Sequence, residues 1–118
     1  MNKDFGQYIK SKRELLLKTD VNYSQRQVAI RVGLEPTYLS QVERGLQNPP
    51  SEAKIIALAK DLDEDVNLLL ALAGKVSDDL KKIIFSRPVI ISELIHELKN
   101  MPNDSVSKLL RLIKNGWF

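Results

Sequence analysis

The segment 36–44, PTYLSQVER, carries the side chains whose types and spacing best suit a chemical task. Gln41 follows Thr37 by four residues and Tyr38 by three, and Arg44 follows Gln41 by three, so on a helix the four side chains lie on one side. All four side chains form hydrogen bonds. Glutamine can bond adenine in a bidentate way, arginine can do so to guanine, and the DNA major groove admits a helix. This side of the segment therefore suits contacts with base edges.

Other chemistry has little support in the sequence. Glu93, His96 and Glu97 resemble half of a carboxylate-bridged metal site, but such sites need a second motif on another helix, and the chain has none. We therefore expect His96 to face solvent. The chain has no cysteine, no glycine-rich phosphate loop and no histidine–aspartate partner for a serine nucleophile. We expect no enzymatic activity, no metal and no cofactor.

Two short helices joined at Gly33 must position the segment 36–44. Ser24, with Gln27 three residues later, predicts the start of the first of them through a capping box. Gly33 ends that helix because glycine takes the left-handed conformation cheaply. Pro36 suits the first position of the next helix. Neither helix is stable alone, so we expect both to pack against neighbouring helices.

Apolar residues recur at helical spacing along the whole chain, and no segment is typical of a strand. The first predicted helix spans 4–18 and turns an apolar side inward, formed by Phe5, Tyr8, Ile9, Leu15 and Leu16. Ser51 begins a fourth helix, and a fifth spans about 64–73. Three further amphipathic helices are predicted at about 78–85, 88–100 and 103–114.

The stretches FGQYIKSKRELL, SQRQVAIRVGLEPTYLSQVERG, NPPS and LLLALAG together resemble the Cro/phage-repressor (XRE) helix-turn-helix family. The resemblance covers about residues 4–74. It implies an all-α fold, with a five-helix lambda-repressor-like DNA-binding domain over 1–74 and a helical segment over 75–118. It also implies a transcriptional regulator that binds specific double-stranded DNA sequences, most simply a repressor acting as a homodimer on a (pseudo)palindromic operator.

The resemblance implies roles for individual residues. Thr37, Tyr38, Gln41 and Arg44 match base-reading positions. Residues expected at DNA phosphates are Gln25, Arg26, Gln47, Asn48 and Lys18. Arg13 and Glu43 match an ion pair that ties the first helix to the third, although Glu43 is alternatively a solvated residue at a helix end.

Three features depart from the family pattern. The connection between the first two helices, LLLKTDVNYS, is several residues longer than in the shortest members, which lengthens the first helix or adds a surface loop. Glu35 either turns toward the N-terminus of its own helix or accepts from a cytosine amino group, and we expect the former. Pro36 offers only a van der Waals contact, which narrows direct readout to Thr37, Tyr38, Gln41 and Arg44.

The C-terminal helices carry more apolar side chains than one small bundle can easily bury, which favours an association surface. The residues predicted to form a homodimer are Ile91, Leu94, Ile95, Leu98, Leu109, Ile113 and Trp117. Two alternatives stay open. The helices pack back on helices one and five, or they bind another protein, as in an antitoxin or a regulator controlled by an antagonist.

Charge and hydropathy indicate where such a chain acts. Residues 1–50 hold eight Lys/Arg against five Asp/Glu, which favours a polyanionic partner or merely a solvated surface. The charged N-terminus does not resemble a signal peptide. The longest apolar run, LLLALA, is far shorter than the roughly 20 residues that span a bilayer. We expect a cytoplasmic, nucleoid-associated protein with no membrane partner.

Overall fold

The computed structural model describes the backbone of residues 2–116 and the side chains of residues 4–116. All regular structure in this range is helical, so the prediction of an all-α fold is confirmed. The elements are α1 (Asn2–Leu17), a 3₁₀ turn (Val21–Tyr23), α2 (Gln25–Val32), α3 (Pro36–Glu43), α4 (Glu52–Asp61), α5 (Val66–Leu72), α6 (Asp78–Ser86), α7 (Pro88–Leu98) and α8 (Asn103–Lys114). The chain forms two compact units, an N-terminal unit up to Ser77 and a C-terminal unit from Asp78.

Local sequence signals account for the ends of the helices in the N-terminal unit. The Ser24 hydroxyl accepts a hydrogen bond from the backbone N–H of Gln27 at the start of α2. Gly33 ends α2 in the left-handed conformation, with φ of 75°. Pro36 is the first residue of α3, and Ser51 caps α4 by accepting from the N–H of Lys54. These caps satisfy backbone groups that the helices themselves leave unpaired.

The apolar core of the N-terminal unit is contributed by all five of its helices. Its buried members are Phe5, Ile9, Val28, Ala29, Val32, Leu39, Val42, Ile55, Leu58, Ala59, Leu62, Leu69 and Leu70. The expectation that Leu15 faces inward is wrong, because its side chain is 58% exposed. Leu16 packs against the core instead. Adjacent helical residues point about 100° apart, and of these two leucines only Leu16 lies on the side of α1 that meets the core.

A close crossing of α1 and α3 sets the position of α3. Gly6 is buried in α1, and a Cβ atom at this position would overlap the carbonyl oxygen of Val42 and lie 3.0 Å from its carbonyl carbon. Backbone atoms cannot rotate away as a side chain can. Only glycine therefore fits at this crossing, although glycine is unfavourable in a helix interior.

The long loop between α1 and α2 is held against α2 and α4. Asp20 caps the 3₁₀ turn by accepting from the N–H of Asn22. The Tyr23 hydroxyl donates to the backbone oxygen of Asp61 at 3.2 Å, and the Arg31 guanidinium lies over the Tyr23 ring. Arg31 also makes two hydrogen bonds to the Asp61 carboxylate, at 2.7 and 3.0 Å, and these raise the pKa of Arg31. The extra residues thus form an ordered surface loop and do not lengthen α1.

The C-terminal unit has no buried residue between Asp78 and Gly116. Its large apolar side chains that are exposed are Leu80, Ile83, Phe85, Val89, Ile90, Leu94, Ile95, Leu110, Leu112 and Ile113. His96 is exposed on α7, and its Nδ1 atom lies 2.8 Å from the backbone oxygen of Ser92. Among the described helices, none has the length and apolar character needed to span a bilayer.

Candidate nucleic-acid interface

Helix α3 is buried on one side and polar on the other. Leu39, Val42 and Glu43 are buried, while Thr37 and Arg44 are exposed. Gln41 is half-buried. Tyr38 is half-buried as well, so all four predicted base-reading residues are at least partly accessible to a ligand.

Arg13 and Glu43 form a buried ion pair between α1 and the end of α3. The Nε and terminal amino groups of Arg13 donate to the two Glu43 carboxylate oxygens at 2.7 and 2.9 Å. A third bond runs from Arg13 to the backbone oxygen of Tyr23 at 3.1 Å. The Glu43 side chain is 1% exposed, so this carboxylate is not a solvated residue at a helix end. Bidentate pairing of this kind fixes relative orientation as well as charge.

Gln25, a predicted phosphate ligand, extends the same network. Its side-chain amide nitrogen donates to a Glu43 carboxylate oxygen at 2.8 Å, and the residue is half-buried. Gln25 is the first residue of α2, and Arg26 beside it is exposed. Backbone N–H groups in the first turn of a helix have no intrahelical acceptor, and they favour an anion. The structure thus brings Gln25 and Arg26 together at a helix N-terminus.

The Tyr38 side chain is bonded to the loop after α3, unlike a side chain that is free to contact a base. Its hydroxyl donates to the backbone oxygen of Asn48 at 2.7 Å, and its ring packs against the core. Burial raises the pKa of Tyr38, so the hydroxyl stays protonated and able to donate. Tyr38 therefore ties α3 to the following loop, and the sequence alone could not indicate this partner ten residues away.

The loop after α3 contains the other predicted phosphate ligands. Arg44 caps α3 at its C-terminal end, and Gly45 takes a positive φ of 75°. Gln47 and Asn48 are exposed in this loop. Lys18 is exposed beyond the end of α1, in a separate loop.

Glu35 stands immediately before α3, where an acid suits the helix dipole. The residue is exposed, and its side chain makes no capping hydrogen bond to the helix. Its carboxylate therefore does not cap α3 by a hydrogen bond, and an orientation toward the N-terminus of α3 stays a prediction. Its charge remains in solvent beside the exposed side of α3.

The sequence analysis did not place Gln7 and Lys10 near the end of α3. With Glu43 and Arg44, they line a shallow hollow of about 240 Å³ where α1 meets the end of α3. Gln7, Lys10 and Arg13 recur every three residues, so they lie on neighbouring positions of the helix surface. Because Arg13 was expected to pair with Glu43 of α3, this spacing could have indicated that Lys10 also lies near the end of α3.

Known proteins resemble this chain chiefly in its N-terminal part. A family model described as helix-turn-helix matches residues 9–69. Two proteins from strains of Mycobacterium tuberculosis, named as uncharacterized HTH-type transcriptional regulators, are each 39% identical over 69 residues. Each match covers 58% of this chain and 45% of the relative, so the chain spans about half the length of these relatives. A chain from a solved SinR protein/SinI protein complex aligns over 93% of this chain and 94% of its own length, with 25% identity and a TM-score of 0.49.

Proposed function

This chain belongs to the helix-turn-helix (HTH_3) family, and from that premise we propose that it is a transcriptional regulator that binds specific double-stranded DNA sequences. In this proposal α3 is the recognition helix, and Thr37, Gln41 and Arg44 contact base edges in the major groove. The names of the Mycobacterium tuberculosis relatives support a regulatory role. Binding as a homodimer over a promoter would repress transcription by occlusion, and it would place the protein with the nucleoid.

The observation that carries the proposal is the two-sided character of α3. Its inner side is anchored by buried Leu39, Val42 and Glu43, while Thr37 and Arg44 extend into solvent. A helix anchored in this way loses little conformational freedom when it binds, which lowers the cost of association. Its exposed groups match the donors and acceptors of base edges.

Contacts to phosphates would set the register of α3 on the duplex. Gln25 and Arg26 lie at the N-terminus of α2, where the helix dipole and unpaired N–H groups favour an anion. Gln47 and Asn48 are exposed in the loop that Tyr38 holds to α3. Phosphate contacts supply sequence-independent affinity, and base contacts supply specificity.

Self-association through the C-terminal unit would complete the DNA-binding form. Helices α7 and α8 each carry an apolar stripe at the spacing i, i+3, i+4, i+7. The stripes are Ile91, Leu94, Ile95 and Leu98 on α7, and Val106, Leu109, Leu110 and Ile113 on α8. Leu94, Ile95, Leu110 and Ile113 are between 46% and 50% exposed. A second copy that offers the same stripes would remove them from water. Trp117, also predicted at this interface, lies outside the described residues.

A dimer makes a geometric prediction about its operator. Two recognition helices on one side of the duplex would require half-sites about 10 base pairs, or roughly 34 Å, apart, or a multiple of that spacing. Selection of bound fragments from random duplex DNA, at two salt concentrations, tests the function. The proposal expects one enriched, two-fold symmetric site and an affinity that falls with salt. No enrichment at either salt concentration would refute it.

A second candidate follows from the same exposed stripes. The C-terminal unit would bind a different protein, such as an antagonist or a toxin, and DNA binding would serve autoregulation. Size-exclusion chromatography with light scattering separates the two candidates. A stable dimer at micromolar concentration supports self-association. A monomer that still binds DNA supports a protein partner.

A further inference from the structure

The Glu43 carboxylate accepts hydrogen bonds from two different helices. Its oxygens take two N–H groups of Arg13 in α1 and one from the side-chain amide of Gln25 in α2. Arg13 also holds the backbone of Tyr23, two residues before Gln25. One buried group at the end of α3 therefore connects α1, the entrance to α2 and α3.

The chemistry of the carboxylate sets the orientation of the Gln25 amide. An ionised carboxylate only accepts, so the amide must turn its nitrogen toward Glu43 and its oxygen away. One of the two hydrogens on that nitrogen is then bonded to Glu43 at a nitrogen–oxygen distance of 2.8 Å. Among residues 4–116, nothing accepts from the second hydrogen.

This second hydrogen lies at the N-terminus of α2. The backbone N–H groups of Gln25 and Arg26 belong to the same first turn, and the Ser24 hydroxyl caps the N–H of Gln27. A phosphate oxygen is an acceptor that such a group of donors can bind. If the amide were free to rotate, it would present its oxygen to the phosphate for part of the time.

We infer that Glu43 is a positioning residue for DNA-backbone binding. Its carboxylate holds the Gln25 amide so that the remaining N–H donates to a phosphate at the N-terminus of α2. Glu43 does not contact DNA itself, and Arg13 acts through Glu43 by fixing the carboxylate. This inference rests on the proposed DNA-binding function and assigns the buried ion pair a task beyond joining α1 to α3.

A double-mutant cycle tests the coupling in the full-length chain. The background variant carries Arg13→Met with Glu43→Leu, which removes the carboxylate without leaving a buried unpaired charge. Gln25→Ala is then made in the unchanged chain and in this background. Affinities are measured by fluorescence anisotropy on the selected duplex and on an unrelated duplex of equal length.

In the unchanged chain, Gln25→Ala should weaken binding to both duplexes by about tenfold or more, as expected for a hydrogen bond to a charged group. In the background lacking Glu43, the same change should cost less than about threefold, since the amide is no longer held. An equal cost in both backgrounds would overturn the inference, and so would no cost in either.

Two controls separate positioning from general damage to the fold. Gln41→Ala on α3 should lose the same factor in both backgrounds, whereas a displaced recognition helix would reduce that loss as well. Gln27→Ala alters an exposed side chain on α2 and should be additive with the background. If the unchanged chain bound no duplex, the proposed function itself would fail. Binding with purely additive losses would overturn only the inference.

Nuclear magnetic resonance gives a second measurement if the background variant does not fold. In the unchanged chain, one side-chain amide proton of Gln25 should exchange with water more slowly than those of exposed Gln27. Addition of the selected duplex should shift the other Gln25 amide proton downfield. Side-chain amides of Gln25 and Gln27 that behave alike, with and without DNA, would overturn the inference.

Discussion

Replacement of Gly6 by alanine tests the crossing that positions α3. Alanine is normally better than glycine in a helix interior by about 0.8–1.0 kcal/mol, so helix propensity alone predicts a more stable protein. Here the new Cβ would overlap the carbonyl oxygen of Val42. Overpacking of a close contact costs typically about 1–3 kcal/mol, and this contact involves backbone that cannot rotate away. The cost should therefore fall in the upper part of this range, at about 2–3 kcal/mol, which leaves a net loss of about 1–2 kcal/mol after the gain in helix propensity.

The test is whether Gly6→Ala lowers or raises the free energy of unfolding. For a domain of this size, the expected loss lowers the midpoint of thermal unfolding by roughly 4–16 °C. Circular dichroism during heating measures it, with urea unfolding as an independent measure of free energy. Gln7→Ala is the matched control, because Gln7 is the next residue on α1 and is exposed, so its change should stay within about 0.5 kcal/mol. A Gly6→Ala protein more stable than the unchanged chain would refute the close approach of α1 and α3.

Three further predictions follow from individual contacts. Tyr38→Phe removes the hydroxyl that holds Asn48 but keeps the ring. The variant should therefore bind specific and unrelated duplexes more weakly by the same factor. A changed preference at one base pair, measured by competition binding, would contradict this prediction. Asp63→Gly should raise the free energy of unfolding, measured by urea titration, by up to about 1 kcal/mol. Asp63 follows α4 with a φ of 54°, and glycine adopts this conformation at lower cost. A variant that is no more stable than the unchanged chain would contradict this prediction. The hydrogen bond to Glu64 raises the pKa of Tyr8, so the folded chain holds that proton more tightly than the unfolded chain. The free energy of unfolding should therefore fall as pH rises above about 10, and it should fall less steeply in the Tyr8→Phe variant. Equal slopes of this free energy against pH in the two proteins would contradict the prediction.

Much of the N-terminal unit was predictable because its signals are local. Ser24, Gly33, Pro36 and Ser51 mark the helix ends through their own backbone preferences and side-chain caps. The spacing of apolar residues indicated which side of each helix is buried. The helix-turn-helix family was likewise predicted, and the family match over residues 9–69 confirms it.

The features that sequence reasoning missed depend on partners far along the chain. Nothing near Gly6 indicates that Val42 approaches it, and nothing near Tyr38 indicates that its hydroxyl bonds the loop. The bonds from Arg31 and Tyr23 to Asp61 likewise join residues 30 and 38 positions apart. Leu15 was misplaced because two adjacent leucines both suit an apolar stripe, and packing chooses only one.

The roles assigned to single residues in DNA contact remain predictions, as does the dimer. Geometry has nevertheless sharpened them. Gln25 was expected only as a phosphate ligand, and it lies bonded to a buried carboxylate. Tyr38 was expected among the base readers, and it holds a loop. Lys10 was not expected near DNA, and it lines the same hollow as Arg44.

Discrimination by the Gln41→Ala variant tests most directly whether the polar side of α3 reads base edges. The assay measures the affinity of the unchanged chain and of Gln41→Ala for the selected duplex and for a panel with each base pair substituted in turn. The account predicts that the variant loses about 1–3 kcal/mol on the selected duplex and no longer discriminates at one position of each half-site. An equal loss on every duplex of the panel, with all base preferences retained, would contradict it.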